Sequence, residues 1–110
     1  YAAATMKNID QTTPVLASSV NQINAATPNP LTASVSVTAD GLALAARVVG
    51  NTGTYTWNNS WAEGTDQAAS SSSSSTADHA VTANGTDTAS ATHTNQNKAV
   101  VVAVSLSVAR

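Results

Sequence analysis

From Leu31 to Val37 the chain alternates without a break: Leu31, Ala33, Val35 and Val37 fall on one side, Thr32, Ser34 and Ser36 on the other. A period of two sends successive side chains to opposite faces of an extended backbone, so this segment is a half-buried strand with a hydroxyl face. The pattern returns after a turn at Asp40-Gly41, where Leu42, Leu44, Ala46 and Val48 share one face and Arg47 lies on the other. An Asp-Gly pair between two alternating runs predicts a hairpin. From Lys98 to Val108, Val100, Val102, Val104, Leu106 and Val108 oppose Ala99, Val101, Ala103, Ser105 and Ser107. Both faces are apolar at the start of this run, as in a central strand. A helix is disfavoured there because β-branched residues lose rotamer freedom on a helix and pack well on a pleated sheet.

Weaker strands are expected at Ala2 to Lys7, Val15 to Val20, Thr54 to Trp57, Thr76 to Val81 and Thr86 to His93. Between them stand Pro28-Asn29-Pro30, Gly50-Asn51-Thr52-Gly53, Asn58-Asn59-Ser60, Asn84-Gly85 and Asn95-Gln96-Asn97. Gly and Asn accept positive φ and Pro presets a negative one, so each is a turn signal. About eight short strands at this spacing predict an all-β fold, an antiparallel, jelly-roll-like β-sandwich. The run Ser70 to Ser75 offers no apolar surface and is expected to be an exposed loop or, failing that, a short polar edge strand.

At 110 residues the chain has the size of one domain, taken here as 1–110, with 1–8 as an N-terminal arm or edge strand. Phe and Cys are absent and the bulky side chains are few, so the core must be thin and unsupported by disulfides. Neighbouring copies would add buried area without lengthening the chain. The apolar residues Ala2, Ala4 and Met6 are therefore the expected assembly contacts, adding a strand to a neighbour's sheet. Charged residues make up 9% of the chain and the formal net charge is -2, so no basic patch exists to neutralise a run of phosphates. Nucleic acid is excluded as a partner on that ground. The longest apolar run, near Ala99 to Val104, is far shorter than the roughly 20 residues of a membrane helix.

Tyr55, Trp57 and Trp61 form the one aromatic cluster. On a turn they would offer ring faces to a sugar, as a ligand-binding surface. In a chain without Phe, the two indoles are also the largest fillers for a core or a subunit interface, and that reading weighs more. His79 and His93 have Asp78 and Asp87 nearby in sequence, but no Gly-x-Ser-x-Gly elbow accompanies the many serines, and no catalytic residues are assigned. Two histidines without a third clustered ligand make a poor metal site, and the aspartates lack the alternating spacing of a calcium loop. No metal and no cofactor is expected. Asn58-Asn59-Ser60 and Asn84-Gly85-Thr86 match the N-glycosylation acceptor pattern, which a chain this rich in Asn, Ser and Thr meets by chance.

From Asp40 onward the chain resembles the C-terminal half of a β-sandwich domain of phage and prophage virion proteins and some bacterial surface proteins. The likeness is carried by Gly41 to Val49, by Tyr55-Thr56-Trp57 and Trp61-Ala62-Glu63-Gly64, by Ala80 to Thr92, and by the closing segment Ala99 to Ala109. Upstream, Ile9-Asp10-Gln11-Thr12-Thr13-Pro14 fits the same group. Similar domains begin with a further apolar strand ahead of this segment, where only Ala2 to Met6 stands here, so the chain is expected to be a fragment of a longer one.

The resemblance implies a structural job on a virion surface or outside the cell, as a capsid decoration or fibre module, with other copies and a capsid, fibre or filament lattice as partners. It hands over no catalytic residues, and an enzyme is the least favoured class because few titratable groups are available to be tuned. The alternatives are a carbohydrate-binding or adhesive module using Trp57 and Trp61, with surface glycans as partners, and a subunit of an extracellular filament.

Overall fold

The computed structural model describes residues 8–108, which form eight strands and no helix. The strands are β1 (Val15–Ile23), β2 (Leu31–Val37), β3 (Leu42–Val49), β4 (Tyr55–Trp57), β5 (Ala62–Ala68), β6 (Ser73–Ala80), β7 (Gly85–His93) and β8 (Ala99–Leu106). Pairing is antiparallel and nested: β1 lies on β8, β2 on β7 and β3 on β6. That nesting is the wrapping of a jelly roll. The strands form one five-stranded sheet, β1-β8-β3-β6-β5, and one three-stranded sheet, β2-β7-β4, stacked as a β-sandwich. The innermost pair of the wrap is incomplete, because β5 leaves β4 and pairs with β6. Ala2, Ala4 and Met6, the expected assembly arm, lie outside the described residues.

The space between the sheets is filled mostly by small side chains. Ala43, Ala89, Ala91, Ala103 and Val101 are completely buried; Ala43, Val101 and Ala103 of the larger sheet face Ala89 and Ala91 of β7 and, beside them, Leu31, Ala33, Val35 and Val37 of β2. Alanine on both facing surfaces lets the backbones approach closely, which suits a chain with few large apolar residues. Tyr55 and Trp61 supply the bulk at one side of this layer.

Three sequence expectations change here. Asp40-Gly41 does make a tight turn, with Gly41 N–H donating to Thr38 O at 3.0 Å, but β2 and β3 belong to different sheets, so no hairpin forms. Asp40 has φ 68°, and its backbone N–H bonds to Val81 O instead, tying this turn to the end of β6. The serine run is an exposed loop only at its start: Ser70 and Ser71 form an exposed bend, but Ser73 to Ser75 open β6, an interior strand, and Ser73 and Ser75 are buried. The third change concerns β3, whose core face is Ala43, Ala45, Arg47 and Val49, while Leu42, Leu44, Ala46 and Val48 look outward.

The two sides of the sandwich are closed differently. On one side β1 and β2 lie at the edges of the two sheets, bridged by Asn21 Nδ2, which donates to Thr32 O at 2.9 Å. On the other side β5 is exposed at every residue. A bulge between Glu63 and Asp66 and their two carboxylates blunt that edge against strand addition.

Candidate functional site

The outward face of the five-stranded sheet follows from the register. Val20, Val102, Ala46 and Thr76 form one cross-strand row, Gln22, Val100, Val48 and Ser74 the next, and Ser18, Val104, Leu44 and Asp78 a third. Seven of these twelve side chains are alanine, valine or leucine, and only Asp78 is charged. Val20 is 65% exposed and Val48 45%. Adjacent valines on three neighbouring strands make a continuous apolar surface, which marks an interaction site more than scattered apolar residues do.

At one end of this face the strands β1, β8 and β3 finish around a groove of about 650 Å³. Its lining includes Gln22, Ile23, Val48, Val100, Gly50 and Lys98. Backbone hydrogen bonding fixes the rim: Gly50 N–H donates to Lys98 O at 3.0 Å, and Lys98 N–H donates to Asn97 Oδ1 at 2.7 Å.

The aromatic cluster is turned the other way. Tyr55 and Trp61 are buried and Trp57 is half-buried, so the three rings do not form an exposed platform. The Tyr55 hydroxyl donates to Ser73 O at 2.7 Å, and Trp57 Nε1 donates to Ser75 Oγ at 2.8 Å. Ser75 Oγ in turn donates to Asp66 Oδ1. The indoles of Trp57 and Trp61 lie 6.4 Å apart, and Trp61 stacks on His79 at 5.6 Å. The polar atoms of Tyr55 and Trp57 are committed to the serine strand, which explains why hydroxyls line an interior strand.

A buried polar network that the sequence did not reveal runs beside these rings. Arg47 is fully buried and its Nη2 donates to Gln96 Oε1, while Nε and Nη1 have no partner among the described residues. No carboxylate pairs with it among the described residues, and its guanidinium carbon lies 5.9 Å from the centre of the Tyr55 ring. Burial lowers the Arg47 pKa and raises that of Tyr55. His93 Nδ1 accepts the N–H of Asn95 at 3.0 Å, which places the proton of the neutral ring on Nε2, 3.0 Å from Ser73 Oγ. Burial, with a smaller contribution from Arg47, holds the His93 pKa below its usual value.

His79 Nδ1 and Asp87 Oδ2, at 2.6 Å, join β6 to β7 and so link the two sheets. They border a shallow hollow of about 210 Å³ lined also by Thr82, Asn84 and Thr86. His79 and His93 are therefore engaged separately. Glu63 has its pKa raised by partial desolvation and then by the Asp66 carboxylate. Among the described residues no three His, Asp or Glu side chains are grouped as a metal site would need. Comparison with known protein families, with curated proteins and with solved structures finds no match.

Proposed function

We propose that this chain is a structural module of a multi-copy surface, packing against other copies of itself through the outer face of the five-stranded sheet. The reading rests on one observation, the uninterrupted apolar surface of Val20, Val102, Ala46, Val48, Val100 and Leu44. A face almost without charge gains little from an ionic partner and much from a second apolar face. A thin core adds a reason for association, because each neighbour contributes buried area that the chain cannot supply from 110 residues.

Set beside the resemblance of its strand and turn pattern to phage virion domains, the surface in question is that of a virion, as a capsid decoration or fibre module. The role in this reading is structural, with His93 bonded to Ser73 and Asn95 and His79 joined to Asp87 across the sheets. The acidic, bulged edge β5 works against growth by strand addition, so face packing is favoured over edge pairing.

Light scattering on the purified chain over a wide concentration range tests this. The mass is expected to rise above that of one copy as concentration increases, with little effect of salt. A mass that stays at one copy throughout would contradict it.

A further inference from the structure

We propose that the groove at the Lys98 end of the outer face binds a medium-chain aliphatic carboxylate, its head on Lys98 and its tail along Val48 and Val100. This goes beyond the assembly reading: the groove is formed within a single copy, but Val48, Val100, Val102 and Val20 also belong to the face proposed to join copies, so ligand binding and association compete for it.

The groove, at about 650 Å³, is open to solvent along its length and combines apolar walls with a few polar groups. Ile23, Val48 and Val100 supply the walls, and Gln22 and Asn24 bring amide donors to the rim. Lys98 makes no ion pair among the described residues, and Arg47, the other cation there, is buried inside the sandwich. Among the described residues Lys98 is thus the exposed basic side chain, on a surface that also carries Asp10, Asp40, Glu63, Asp66 and Asp78. A ligand with negative charge is selected on that ground, and a cationic one is disfavoured.

Gly50 sets where the lysine lies. A Cβ at position 50 would come 2.7 Å from Lys98 Cε and 2.8 Å from Cγ, so the lysine stem rests directly on the glycine backbone. Its methylenes thereby join the apolar wall of the groove. From Lys98 to Val102 the strand advances about 13 Å. A carboxylate at the rim would therefore have a run of valines, Val100 and then Val102 with Val20 beside it, on which to lay its tail.

The test is a calorimetric and NMR titration of the full chain with octanoate, octylammonium and octyl glucoside. Octanoate is expected to bind saturably, to shift the amides of Ile23, Gly50 and Val100, and to bind more tightly than the other two probes. Lys98→Gln should weaken octanoate about fivefold, with Lys98→Arg restoring most of the affinity. Failure of octanoate to saturate in the millimolar range, at protein concentrations where the chain sediments as a single copy, would overturn the proposal. Equal binding of all three probes, or of octanoate to Lys98→Gln and wild type, would also overturn it, leaving only a non-selective apolar face.

Discussion

Arg47 and Gln96 meet inside the sandwich, where the guanidinium Nη2 donates to Gln96 Oε1 and the Gln96 amide donates onward to the carbonyls of Ala25, Ala26 and Pro28. A charge on β3 is thereby connected through one neutral side chain to the segment between β1 and β2. Among the described residues Gln96 is the one hydrogen-bond partner of this guanidinium, so the two residues should respond differently to replacement. Gln96→Ala leaves a buried charge unpaired and frees three carbonyls, and is expected to cost about 3 kcal/mol or more. Arg47→Met removes the charge itself and keeps most of the volume, and should cost clearly less. Urea unfolding of the two variants gives the order; a larger loss for Arg47→Met would contradict it.

His93 should make stability fall with acid. Its folded-state pKa is depressed, so as pH drops below the unfolded value of about 6.5 the unfolded chain takes up a proton before the native one does. The stabilisation is complete above that value and is lost as pH falls through it toward the lower native value. Protonation also abolishes the acceptor that Nδ1 offers to Asn95 N–H. Urea midpoints measured from pH 7.5 down to pH 5 should decline, and His93→Gln should flatten that decline. An unchanged slope in the variant would assign the effect elsewhere.

The alanine layer separates the two faces of β8. Ala103 is completely buried between the sheets, so Ala103→Leu overpacks the layer and is expected to cost about 2 kcal/mol or more. Val102, its neighbour on the outer face, is only partly covered, and Val102→Ala should cost about 1 kcal/mol or less. Thermal melts at low protein concentration compare them, and equal losses would place the core on the wrong side of the sheet.

This inversion of faces shows where the sequence stops being informative. Alternation in β3 and β8 separates two sets of side chains, yet both sets are apolar enough to be core, and the Leu and Val set looks the better candidate. What decides is the facing sheet, whose alanines and aromatic rings need small residues and one long side chain opposite them. Leu31 to Val37 had one apolar and one hydroxyl face, and its inward side follows from pattern alone. Asp40-Gly41 carried the correct turn chemistry without saying to which strand the chain would go. Ala62 to Ala68 has neither alternation nor β-branched apolar residues, and it becomes a strand only through pairing with β6. Ser73 and Ser75 are legible as interior only after Tyr55, Trp57 and His93 are known to bond to them.

Trp61 acts as a filler in the core. Trp61→Ala should therefore cost about 3 kcal/mol, and the native emission of the protein should be blue-shifted relative to the unfolded chain. Retention of stability in this variant, measured by chemical denaturation, would place the ring at the surface.

The claim that the outer face joins copies is tested most directly by sedimentation velocity of the wild-type chain beside Val20→Lys. Val20 is 65% exposed, so the lysine can be accommodated by the fold while it places a charge in the middle of the apolar rows. Wild type is expected to sediment as a multi-copy species and Val20→Lys as a single copy, with matching circular dichroism and melting of the monomer. Identical sedimentation of the two chains, whether both associated or both monomeric, would contradict the assignment.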